Sequence, residues 1–172
     1  MSPLKAACAL ALTTALSLAA VPAHATWKDP GPENELDRTY AATSKYRNLK
    51  RAIKDDYLRN NACVALLGEG GMGYHYVKQQ LINSTDPAQP AGLAYHKDKK
   101  GKKRLGAVEW IVRDADQNVK TDWDRPVMFG DQKFDGPEEI PGLGVVYTLH
   151  AWIYKDNPRG VFYPWNPRVT CP

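Results

Sequence analysis

The chain has 172 residues, 43% apolar and 24% charged, with 13 glycines, 13 prolines, three cysteines and a formal net charge of +4. That balance excludes an intrinsically disordered chain, a collagen-like repeat and a disulfide-dense miniprotein. The length allows one globular domain with a sizeable core, but not two full-sized ones.

In chain order, residues 1–25 read as a signal peptide. Lys5 supplies a positive start, Ala6 to Ala20 an apolar stretch, and Ala23-His24-Ala25 the small-x-small pattern of a cleavage site. Cleavage is expected after Ala25. The apolar run is too short for a comfortable bilayer span and Pro22 breaks it, so no transmembrane segment is expected there or later. Cys8 has no lipoprotein context and leaves with the signal. Residues 26–172 then form a single secreted or periplasmic domain with a charge of +3, since only Lys5 is lost. Its two cysteines, Cys63 and Cys171, are expected to pair in an oxidising compartment. The closed loop of about 107 residues would contribute roughly 4 to 5 kcal/mol in the chain-entropy treatment, less any native strain.

Thr26 to Glu33, with two prolines and a glycine, reads as an extended leader. From Leu36 the pattern turns helical, with Asn34 and Asp37 as a weak capping pair. Tyr46, Leu49, Ile53 and Tyr57 recur at spacings of three and four, which predicts one amphipathic helix covering a sheet and stopped by Asn60-Asn61. Its basic face reads as solvated surface, so no nucleic-acid partner is expected. Short strands follow at Cys63 to Leu67, Tyr74 to Val77, Gly92 to His96, Arg104 to Val112, Val127 to Phe129, Val145 to Tyr154 and Val161 to Tyr163. The third and fourth flank a lysine-rich hairpin tip at residues 97–103. The predicted fold is α+β: an N-terminal amphipathic helix packed on a curved, mainly antiparallel β-sheet.

Three side chains raise a chemical question. His75 and His150 each stand in an apolar, aromatic strand, where an imidazole needs hydrogen-bond partners or a metal. Glu109 lies in a strand whose two faces both look buried, with Leu105, Ala107 and Ile111 on its side and Val108, Trp110 and Val112 on the other. A buried carboxylate needs a cation, a donor or a raised pKa. Two histidines and a carboxylate from three strands suit a metal site with open positions, of the kind zinc or non-haem iron uses. Separations of 34 and 41 positions force no such meeting. Two readings therefore stand beside the metal: acid-base work without one, and buried structural histidines with Glu109 paired to an arginine or tyrosine. The metal reading requires the three side chains to converge within about 4 to 5 Å of a common point; if they point apart, only a non-enzymatic binding module remains.

Other motifs carry less. Gly68 to Gly73 lacks the lysine of a phosphate loop, and Glu69 would repel phosphate. The lysine-rich tip reads as a solubilising turn or as a contact for anionic polymers. His96 sits beside that tip, outside the candidate site. Tyr147, Trp152, Tyr154, Phe162, Tyr163 and Trp165 either close a core or line a cleft near His150.

Gly71-Met-Gly-Tyr-His-Tyr-Val77, Leu149-His-Ala-Trp152, Asn157-Pro-Arg-Gly-Val-Phe162 and Trp165-Asn-Pro-Arg-Val-Thr-Cys171 together resemble a group of small secreted bacterial proteins of uncharacterised function. The resemblance implies secretion from a bacterium and brings no activity, cofactor or catalytic residue. The expected function is binding of a metal ion or small ligand at His75, Glu109 and His150. In a catalytic version the histidines hold the metal and Glu109 is third ligand or general base. The alternative is a non-enzymatic extracytoplasmic module that binds a partner protein or envelope polymer.

Overall fold

The computed structural model describes residues 31–172. The expected signal peptide and cleavage site lie outside the described residues. Helix α1 spans Gly31–Thr43, a 3₁₀ turn covers Ser44–Arg47, and α2 spans Leu49–Lys54. Two expectations are corrected here. The helical segment begins at Gly31, inside the stretch assigned to an extended leader, and it is three short pieces rather than one helix. The breaks have local causes. The Asn48 side chain accepts from the Lys50 N–H and restarts the helix as an N-cap. Asp56, at φ 68°, turns the chain out of it. Tyr46 and Tyr57 are both buried and meet edge-on at 4.9 Å, but Ile53, expected on the same face, is exposed. The asparagines expected to stop the helix lie instead within the first strand.

The strands are β1 (Leu58–Leu66), β2 (Gly70–Val77), β3 (Gly92–Lys97), β4 (Lys103–Arg113), β5 (Val127–Met128), β6 (Gln132–Lys133), β7 (Asp135–Ile140) and β8 (Gly144–Ala151). Six form a curled antiparallel sheet in the order β1-β2-β3-β4-β8-β7, and β5 pairs with β6 alone. The fold is thus mixed α+β, as expected. Val161 to Tyr163 forms no strand; the Val161 carbonyl accepts from the Trp152 N–H instead. β7 was not foreseen.

One face of the sheet carries the main core, with Trp110, Tyr95, Tyr147, Leu93 and Leu149 fully buried. Each such side chain stabilises by roughly 1.5–3 kcal/mol, which explains why these alternating positions fix the register. The opposite face carries smaller apolar clusters around Ile111, Val146 and Val77, and around Ala107, Trp152 and Val169. Strict alternation fails once in β4. Ala107 opposes Ala94 while Leu105 opposes Tyr95, so Gly106 is the extra residue of a bulge. Leu105 consequently joins the main core, not the Glu109 side as its spacing implied. A Cβ on Gly106 would lie 3.1 Å from the Trp152 ring.

The expected disulfide is present between Cys63 and Cys171, with 5.5 Å between the Cα atoms. It ties the C-terminal tail to β1, and an isolated bridge between Gly71 and Asn166 holds the same tail against β2. Among the described residues, no helix is long and apolar enough to cross a membrane.

Candidate metal centre

Sheet register places the three polar side chains. In β4 and β8, Glu109 lies directly opposite His150. Across the other edge of β4, Glu109 opposes Gly92, and Gly92 in turn opposes Val77. His75, two residues before Val77 on the same face, opposes Ala94. Strand β3 therefore presents only Gly92 and Ala94 between the histidine of β2 and the carboxylate of β4. Their smallness lets the longer side chains meet above it. A Cβ on Gly92 would stand 2.7 Å from Glu109 Oε2 and 3.0 Å from Glu109 Cβ, so the Glu109 side chain would have to shift.

The convergence is tight. His75 Nε2 and His150 Nε2 are 3.3 Å apart. Glu109 Oε1 is 3.5 Å from His150 Nε2, and Oε2 is 3.9 Å from His75 Nε2. One candidate ligand atom from each residue lies within 4.8 Å of the others. All three residues are buried, His150 almost completely.

Burial dominates the electrostatics. It lowers the His75 pKa to about 4. It lowers that of His150 to about 3, with His75 as a second, smaller cause. It raises the Glu109 carboxyl to about 8, helped by the negative charge of Glu138. Without a metal, the cluster at pH 7 is therefore two neutral imidazoles and a protonated acid. Neutral imidazole is the ligating form. Among the described residues the polar neighbours of the Glu109 carboxyl are the two histidines, and no arginine pairs with it. The structural reading thus loses the arginine or tyrosine it gave Glu109 but keeps its hydrogen-bonded histidines, joined through their Nε2 atoms. His150 Nδ1 is buried with no hydrogen-bond partner among the described residues. That nitrogen is left unsatisfied, at a cost of about 1–3 kcal/mol, whether or not Nε2 holds an ion.

The cluster forms the floor of a cavity of about 250 Å³. Met72 of β2, Val64 of β1, Ile140 of β7 and Leu143 of the β7–β8 turn supply apolar walls, with Trp165 of the tail closing one side. Among the described residues, polar lining beyond the triad comes from Asn60, Glu138 and Thr148. Burial raises the Glu138 pKa, with the charge of Asp135 adding to it and a Thr148 hydrogen bond opposing it.

The remaining candidates fall elsewhere. His96 is half-buried near Arg47, Arg104 and Lys155, away from the triad. The basic hairpin is internally organised. The Asp98 carboxylate accepts from Arg104 Nε and from the Lys100 and Lys102 N–H groups. Lys103 donates to the Tyr76 hydroxyl at 2.6 Å. Glu69 pairs with Arg159 and accepts from the Tyr163 hydroxyl. The aromatic C-terminal half divides: Tyr147 and Trp152 are core, while Trp165 lines the cavity.

Sequence reasoning missed Gly92 and Glu138. Gly92 was placed at the start of a strand without a role; its alternation with Leu93, Ala94 and Tyr95 marks one small-residue face, which is the usable signal. Comparison with protein-family models, curated proteins and solved structures found no match.

Proposed function

We propose that His75, Glu109 and His150 hold one divalent metal ion, zinc or iron, at the floor of the cavity, and that a small ligand enters from above. The observation that carries this reading is the 3.3 Å between the two Nε2 atoms with a carboxylate beside them. Two nitrogens about 2.0–2.1 Å from a tetrahedral ion lie roughly 3.3–3.4 Å apart. Two histidines and one carboxylate also leave positions open, as catalytic zinc and non-haem iron sites do. A metal held there supplies a Lewis acid and lowers the pKa of bound water. Glu109 is the third ligand, or in a catalytic version the base that takes a proton from the ligand or water. The disulfide suits an oxidising compartment. Cleavage after Ala25, a single secreted domain and kinship with small secreted bacterial proteins belong to the same reading.

The test is elemental analysis of protein purified without chelator or affinity tag, together with thermal melting. The reading expects close to one zinc or iron per chain and a melting temperature that falls on chelation. His75→Ala and His150→Ala should lose the metal, and His96→Ala should keep it. A metal-free protein whose melting ignores zinc, iron and chelator would sink the reading.

A further inference from the structure

We infer that the ligand of this site is a small molecule with one metal-seeking oxygen head group and a compact apolar body, such as a short-chain or single-ring carboxylic acid derivative, and not a phosphate ester or a sugar. This rests on the metal reading above and adds the chemistry of what enters.

Size sets the first bound. An apolar cavity of about 150 Å³ accepts benzene, so the 250 Å³ here takes one ring or a short chain together with a head group. The walls set the second. Val64, Met72, Ile140, Leu143 and Trp165 line the space above the triad. A body that fills it gains by removing apolar surface from water.

Charge separates a phosphate ester from a carboxylic acid derivative, which carries one negative charge at most and meets it with the metal. None of the described residues that line the cavity is a lysine or an arginine. A phosphate ester brings about two negative charges and needs such cations, or a run of N–H donors, around its oxygens. Glu138 on the lining adds the wrong sign. A sugar needs a polar partner for most of its hydroxyls. Outside the triad the described lining residues offer few polar side chains, those of Asn60, Glu138 and Thr148.

The walls are also fixed in advance. Trp165 precedes Asn166, which exchanges backbone hydrogen bonds with Gly71 at 3.1 Å in both directions. The Cys63–Cys171 disulfide anchors the same tail to β1. A preformed apolar cleft lets a small ligand bind without ordering the protein first.

The experiment is calorimetric titration of the zinc-loaded secreted chain with acetohydroxamate, butanohydroxamate, hexanohydroxamate and benzohydroxamate, and separately with inorganic phosphate and glucose. Zinc content is measured first. Affinity should rise about three- to fourfold per methylene, from the free energy of burying each one, and phosphate and glucose should bind more weakly than acetohydroxamate. Ile140→Ser should weaken hexanohydroxamate about tenfold and leave acetohydroxamate and zinc content unchanged. Val64→Ser repeats the test on the opposite wall if the first variant does not fold. A zinc-loaded protein with a flat series, or with phosphate or glucose binding more tightly, overturns this inference and leaves the metal reading standing. A chain that takes up no zinc overturns both.

Discussion

Glu109→Gln keeps the shape of a buried side chain and removes its ability to ionise, so it separates the two roles of that residue. In the metal-free domain the Glu109 carboxyl titrates near pH 8, against an ordinary value of 4.5. A raised carboxyl contributes stability that is fully present below pH 4.5 and is lost as pH rises through 8, because the unfolded chain ionises first. The gap of about 3.5 units corresponds to a ceiling of about 5 kcal/mol. Relaxation of the chain and water around the new charge reduces it. The histidines run the opposite way. Their pKa values of about 4 and about 3 are depressed, so their contribution is present above 6.5 and is lost as pH falls through 4. That acid limb is common to both proteins and cancels in their comparison. Urea unfolding of chelator-treated wild type and Glu109→Gln, from pH 5.5 to 9, isolates the carboxylate. The variant should gain on wild type by up to about 3 kcal/mol across that range. Metal-saturated wild type should lose the alkaline decline, since the ion compensates the charge. Parallel curves for the two metal-free proteins would refute the reasoning, because Glu109 would then be ionised at no cost in the fold.

Gly92→Ala should reduce metal affinity at least tenfold in competition with a chromogenic chelator, since the new methyl meets the Glu109 carboxylate and its Cβ. The domain itself should remain folded, because Gly92 has no left-handed φ that alanine would strain. Metal uptake at pH 7 should release about one proton, that of Glu109, because the histidines are already neutral. Calorimetry in buffers of different ionisation enthalpy reads this directly. Replacing both Cys63 and Cys171 by serine should destabilise the domain by up to about 4 to 5 kcal/mol in chemical denaturation, and should raise hydrogen exchange at Gly71 and Asn166 by loosening the tail that carries Trp165.

The strands of the sheet were legible because their apolar alternation is strong, and the hairpin because a charged tip separates two such runs. The interrupted helix was not. Its periodic residues are real, but Asn48 as a cap and Asp56 in a left-handed turn act on two positions each and are lost in a pattern that looks at eleven. β7 escaped for a different reason: Asp135-Gly-Pro-Glu-Glu-Ile140 is a half-exposed edge strand, so no buried face imposes alternation on it. The site divides the same way. His75, Glu109 and His150 stood out individually because polar groups amid buried alternation are costly. That they meet depends on which strands are neighbours and in what register, and no local spacing encodes that. Gly92 and the bulge at Gly106 show the limit most clearly, since each matters through a side chain that is absent.

The central claim is that three side chains from β2, β4 and β8 coordinate one ion. Anomalous diffraction at the zinc edge from crystals of the zinc-loaded protein tests it most directly. The account predicts a single strong peak about 2.0–2.2 Å from His75 Nε2, His150 Nε2 and a Glu109 carboxylate oxygen. A peak at His96, or none within the triad while the two Nε2 atoms remain hydrogen-bonded to each other, would contradict it.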